Sequence, residues 1–150
     1  MTTPHYTIIQ LREATPQIAA QLTSLITHLT DAPQAKMGEE RLRAIVGDPS
    51  TALLVASGKD GDIVGMLTIA HLTLPTSEKL WIEDVVVSPV VRGCGIGRRL
   101  VEAAIEWGSV HYPAATIYLT SNPSRIAARE LYRSLGFEEY NTGVFRYNNQ

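Results

Sequence analysis

Apolar positions along the chain change their period several times, and each period predicts an element. Tyr6 to Arg12 alternates β-branched and polar residues, as a half-buried strand does. Ile18, Leu22, Leu25, Ile26 and Leu29 recur at helical spacing and predict an amphipathic helix over residues 16–29. Asp31 to Gly38 reads as a loop. A short helix from Glu39 to Val46 is stopped by Gly47-Asp48-Pro49. Thr51–Ser57 and Ile63–Leu72 read as strands around Gly58-Lys59-Asp60-Gly61, a hairpin-type turn. Leu80–Val87 is the next strand. Ile96, Leu100, Ala103, Ala104 and Trp107 share one face of a helix over residues 96–110. Thr116–Thr120 is a strand. Ser124–Leu135 is a helix with Leu131, Tyr132 and Leu135 on its apolar side and Gly136 at its end. Tyr140–Tyr147 reads as a last strand.

The order is therefore β-α-α-β-β-β-α-β-α-β. A hairpin-like first half followed by strand–helix–strand–helix predicts an α/β protein, with helices on both faces of a mixed sheet. Without repeats, low-complexity tracts or a linker, residues 1–150 read as one domain. A length of 150 residues suffices for a real core.

Composition narrows the function. A net charge of −2 argues against a general nucleic-acid binder, which needs excess cations to neutralise phosphates. Ten of the thirteen cations are Arg, whose planar fork suits phosphate and carboxylate. Cys94 is the only cysteine, so no disulfide forms within the chain. The four histidines stand apart and form no metal-type spacing, so no metal is expected. No signal-peptide pattern or membrane-length apolar run is read, which makes the cytoplasm the expected compartment.

Candidate chemistry concentrates in Val85-Val86-Val87-Ser88-Pro89-Val90-Val91-Arg92-Gly93-Cys94-Gly95-Ile96-Gly97-Arg98-Arg99-Leu100. An apolar strand turns at Arg92–Gly95 and enters a helix. The first N–H groups of a helix lack internal partners and carry the positive end of its dipole. Arg92, Arg98 and Arg99 add formal charge. Such a turn suits an anion, a pyrophosphate above all. Arg98 stands where a dinucleotide G-x-G-x-x-G would need its last glycine, and the Gly-Lys-Ser/Thr of a P-loop is absent.

Arg92-Gly93-Cys94-Gly95-Ile96-Gly97 resembles the acetyl-CoA loop of the GNAT superfamily, the Gcn5-related N-acetyltransferases. Ala128 to Phe137, with Leu131-Tyr132 and Leu135-Gly136-Phe137, is similar to that family's second hallmark. The resemblance spans nearly the whole chain. It implies a central twisted mixed sheet of six to seven strands flanked by about four helices. It also implies an acyltransferase moving acetyl from acetyl-CoA to a primary amine of a small molecule.

By the same resemblance, Val85, Val86 and Val87 would pair with the pantetheine arm, and an N–H of Val86 or a neighbour would polarise the thioester carbonyl. Arg92, Gly93, Cys94, Gly95, Ile96, Gly97 and Arg98 would hold the pyrophosphate. Tyr132 would be the general acid. Asn122 is a further cofactor candidate, because Arg125 stands where the family usually has asparagine; Ser124 reads alternatively as a helix cap.

For the base, Glu83 acting through water is favoured, with Asp84 and a water chain as alternatives. Alternation puts Glu83 in phase with Trp81, Val85 and Val87, and Asp84 in phase with Ile82 and Val86. The acceptor side would fall to about Leu29–Arg43, His71–Leu80 and Tyr140–Phe145. Asp31, Glu39 and Glu40 there could draw a cationic amine, beside Lys36, Arg41 and Arg43. Two alternatives remain at this point: an acyl-CoA-binding module without turnover, and an acetyltransferase of protein termini or lysines. No nucleic-acid or membrane partner is expected, and a homodimer is compatible with the sequence.

Overall fold

A computed structural model describes residues 5–29 and 36–149. Most of the loop expected at Asp31–Gly38 falls outside them, Asp31 included. The chain divides into two compact units, Met1–Thr120 and Ser121–Gln150.

The first unit holds β1 (Tyr6–Gln10), α1 (Pro16–Ile26), α2 (Glu39–Gly47), β2 (Thr51–Gly58), β3 (Ile63–Thr73), β4 (Glu78–Val87), α3 (Ile96–His111) and β5 (Thr116–Leu119). Thr15 caps α1 by accepting the Ile18 N–H at 3.2 Å, and Pro16 opens the helix where an N–H is not needed. The helix stops at Ile26, short of the expected residue 29.

The sheet order is β1-β2-β3-β4-β5. The first four strands run antiparallel, and β4–β5 is parallel through the α3 crossover. Trp81 and Tyr118, partners across β4 and β5, stack with centroids 5.1 Å apart.

Register assigns the two faces of the sheet. Leu53, Val55, Met66 and Val86 join Leu22, Leu25 and Ile26 of α1 and Leu42 of α2 in one core cluster. The opposite face takes α3, whose Ile96, Leu100, Val101, Ala104, Trp107 and Gly108 are buried. Each fully buried leucine or isoleucine contributes roughly 1.5–3 kcal/mol.

The period of two breaks inside β4. Met66 pairs with Val86 and Thr68 pairs with Glu83, so Leu67 alone faces Asp84 and Val85. This is a β-bulge. Asp84 has φ 53, a left-handed backbone unique among the described non-glycine residues. The bulge corrects the expected phase. Glu83 shares a face with Val86, as their partners Thr68 and Met66 do, rather than with Val85 and Val87. That face is the α1/α2 face.

Aspartate tolerates left-handed φ better than most residues, and β-branched residues tolerate it worst. Asp84→Val therefore lowers unfolding free energy by about 1–2 kcal/mol, while Asp84→Gly stays close to wild type. Equilibrium urea unfolding of the two variants measures the difference.

The second unit contains α4 (Ile126–Ser134), followed by residues 137–149 without regular secondary structure. The strand expected at Tyr140–Tyr147 is not formed, and Tyr140, Val144, Phe145 and Tyr147 are exposed. Alternating composition supplies a face, but a strand also needs a neighbour to satisfy its backbone. The described sheet accordingly has five strands, not six to seven.

Candidate active site

Two features of the first unit make the site. The first is an open edge. The β4–β5 ladder ends at the pair Ile82–Leu119, so β4 continues through Glu83–Val87 with no strand beyond it on that side among the described residues. Ser88 N–H donates to the Val64 carbonyl of β3 at 2.8 Å. Successive residues of a ladder alternate the direction of their N–H groups. The Val87 N–H therefore points to the open side and the Val86 N–H to β3. Val86 is also buried in the α1/α2 core.

The second feature is the helix start. A short 3-10 turn, Pro89–Val91, leads into Arg92–Gly95. Gly95 caps α3 in the left-handed conformation, φ 76, with no side-chain cap bond. The first helical bond is Arg99 N–H to the Gly95 carbonyl, 3.1 Å. The N–H groups of Ile96 and Gly97 precede it and form part of the dipole's positive end. A Cβ built on Gly93 or Gly95 would meet nothing within 4 Å, so the loop backbone is open to a ligand. Arg92, Cys94 and Arg98 are exposed around it. This geometry fits a pyrophosphate.

Arg99 does something different from what its charge suggested. Its Nη1 donates to the Tyr6 carbonyl at 2.8 Å, tying the first turn of α3 to β1.

Glu83 lies at the open edge next to the bulge. Partial loss of water raises its carboxyl above the ordinary carboxylate range, and the Asp84 charge adds to the rise. A carboxyl so shifted is a better base near neutrality than an ordinary glutamate.

Tyr132 and Asn122 belong to the second unit. Tyr132 is buried, and burial raises its hydroxyl above the usual tyrosine value while the Arg125 charge opposes the rise. The Leu-Gly-Phe motif acts as a helix stop. Gly136, φ 97, donates its N–H to the Arg133 carbonyl at 3.0 Å, and Phe137 N–H donates to the Tyr132 carbonyl at 3.0 Å. This is a Schellman cap, and the Phe137 ring meets the Tyr132 ring edge-on at 6.1 Å. The motif thus fixes the backbone and ring of Tyr132.

Asn122 Oδ1 accepts from the Ser124 N–H at 2.9 Å and from the Ser124 hydroxyl at 2.8 Å. Asn122 thereby shapes the turn before α4. Ser124 is not the cap of that helix, whose cap position is Arg125.

Sequence reasoning missed the bulge and the Arg99 tether. The adjacent acidic pair Glu83-Asp84 inside an apolar strand was the one local sign of the bulge. Nothing in the sequence marks the tether.

A sequence model of the acetyltransferase (GNAT) family matches residues 19–137. The chain belongs to that family. Streptothricin acetyltransferase of Streptomyces lavendulae is 32% identical over 90 residues, which cover 60% of this chain and 46% of that relative. This GNAT chain thus spans about half the length of the relative it matches. A protein described as a transcriptional regulator from Bacillus halodurans C-125 superposes with a TM-score of 0.81 at 28% identity, over 96% of this chain and 100% of that one. An aminoglycoside acetyltransferase from an uncultured soil metagenomic sample, in complex with trehalose, has the same fold. Its TM-score is 0.83 at 21% identity, with 97% of each chain covered. The mixed α/β architecture is that of GNAT acetyltransferases. No helix among the described residues is long and apolar enough to cross a membrane.

Proposed function

We propose that this GNAT protein transfers acetyl from acetyl-CoA to a primary amine of a small molecule, with residues 1–150 acting as one cytoplasmic catalytic domain. The observation that carries the reading is the continuity of the open β4 edge with the glycine-cornered start of α3, which has no side-chain cap bond. An extended arm ending in a pyrophosphate fits those two features in series. Acetyl-CoA supplies the activated acyl carbonyl. Val85 and Val87 would hydrogen-bond the pantetheine arm, and a backbone N–H on the open side of β4 would stabilise the developing oxyanion. The N–H groups of Ile96 and Gly97 would take the pyrophosphate, with Arg92 and Arg98 adding charge.

An amine with pKa near 10.4 must lose a proton before it attacks. Glu83 takes that proton through water in this reading, and Tyr132 gives one to the departing sulfur. The small-molecule acceptor is supported by the names of the streptothricin and aminoglycoside acetyltransferases that the chain resembles.

Thiol release from acetyl-CoA over an acceptor panel tests the reading. Streptothricin, aminoglycosides, polyamines and lysine-bearing peptides make the panel. Release with a small amine is expected. Acetyl-CoA binding by calorimetry without release on any amine would identify a binding module instead. Release with peptides alone would identify a protein acetyltransferase.

A further inference from the structure

Gly65 is the third residue of β3, inside the ladder, where a glycine weakens a strand unless another chain segment approaches closely. The approaching segment is the first turn of α3. A Cβ on Gly65 would stand 3.1 Å from Leu100 Cδ1, 3.3 Å from Ile96 Cγ2 and 3.4 Å from the Val86 carbonyl oxygen. The first two separations are tighter than side chains normally accept, so a neighbour must give by a few tenths of an ångström. Leu100 is fully buried and Ile96 is 2% exposed, so both side chains are hemmed in by the core, and the Val86 contact is with backbone. The element that can yield is α3, together with the loop it begins.

Gly65 keeps an ordinary backbone, outside the left-handed region. Alanine there is conformationally permitted, and its effect reports packing alone. The same helix offers an internal control. Gly108, about 18 Å along the α3 axis from Ile96, would place a Cβ 2.8 Å from Leu80 Cδ1 and 3.4 Å from Ile117 Cδ1. Both glycines seat α3 on the sheet: Gly65 of β3 lies beneath its ligand-facing end, and Gly108, on α3 itself, lets the other end approach Leu80 of β4 and Ile117 of β5. The Arg99–Tyr6 tether fixes the ligand end laterally.

We propose that Gly65 is a positioning residue for the pyrophosphate loop. By lacking a side chain, it sets the height of the first turn of α3, and thus of the Ile96 and Gly97 N–H groups, above the open edge of β4. The inference rests on the coenzyme A reading of that loop.

The experiment compares wild type with Gly65→Ala, Gly108→Ala and the double variant Gly65→Ala/Leu100→Val, which shortens the side chain that the new methyl meets. Coenzyme A affinity is read by calorimetry, KM for acetyl-CoA and kcat by thiol release, and folding by thermal melts. Gly65→Ala is expected to weaken coenzyme A binding and raise KM for acetyl-CoA by about tenfold, with kcat within about threefold; each tenfold step is about 1.4 kcal/mol. Gly108→Ala is expected to lower Tm while leaving both affinities within about twofold. The double variant is expected to regain most of the lost affinity.

Folded Gly65→Ala that binds coenzyme A as wild type does would overturn the proposal. So would equal losses of affinity in Gly65→Ala and Gly108→Ala, which would mean a general disturbance of the helix. If Gly65→Ala fails to fold, the double variant decides: wild-type affinity supports the inference, and a tenfold loss in a well-folded double variant refutes it. A wild-type protein that binds no coenzyme A would overturn the functional reading itself, and this inference with it.

Discussion

Replacing Tyr132 by phenylalanine lowers kcat by about a hundredfold or more and leaves KM for acetyl-CoA within about twofold. The substitution removes one oxygen from a buried ring and keeps the ring itself. The Schellman cap at Gly136 and the edge-on Phe137 contact both survive, so the backbone of α4 stays in place. What disappears is the group proposed to give a proton to the departing sulfur. Burial raises the Tyr132 hydroxyl above the ordinary tyrosine value, with Arg125 opposing, so the group is protonated throughout the neutral range.

A hundredfold loss is about 2.7 kcal/mol of transition-state stabilisation. It should fall on kcat, because the proton moves only as the sulfur departs. Activity that depends on protonated Tyr132 is present below the hydroxyl's folded pKa and lost as pH rises through it. Steady-state kinetics over a pH series measures both effects. Unchanged kcat in a protein that still binds acetyl-CoA would remove Tyr132 from the mechanism.

Glu83→Gln has the next largest expected effect, about a hundredfold in kcat/KM for the amine at neutral pH. A base works when deprotonated, so wild-type activity rises with pH through the Glu83 pKa. Desolvation first, and the Asp84 charge second, place that limb above the ordinary glutamate value of about 4.3. The limb should vanish in Glu83→Gln. In Asp84→Asn it should shift to lower pH, because the neighbouring negative charge is gone.

Stability moves the other way. A carboxyl with a raised folded pKa contributes stability that is present below its unfolded pKa and lost as pH rises through the folded value. Glutamine cannot ionise, so Glu83→Gln should be no less stable than wild type at neutral pH, as a thermal melt will record. Reduced activity in a protein of undiminished stability separates a chemical role from a structural one.

Much of this was legible along the chain because it is encoded locally. The Gly93–Gly97 spacing marks a strand turning into a helix N-terminus, whose first N–H groups favour an anion. Leu135-Gly136-Phe137 marks a helix stop, since a left-handed residue there favours glycine. The order of elements from β1 to α4 followed from hydrophobic period alone. Where the period failed, it failed for a nonlocal reason. Alternation carried through Glu83, Asp84 and Val85 gives the wrong faces, because the extra residue is defined by register against Leu67 on β3. Arg99 read as a ligand charge because nothing near it in sequence shows the Tyr6 carbonyl it reaches.

The sequence by itself determined the element order from β1 to α4, the glycine-cornered turn at Arg92–Gly97 that starts α3 and the capped helix that carries Tyr132. These depend on contacts between residues a few positions apart. Tertiary structure alone decided that β4 outruns β5 and leaves an open edge, and that Glu83 faces the α1/α2 side. It alone placed Gly65 beneath the turn that starts α3, and left residues 140–147 outside the sheet. Each of these depends on which segment lies beside which. Hydrogen-bond register and van der Waals contact across the sheet fix that pairing, and a one-dimensional pattern of polar and apolar residues does not contain it.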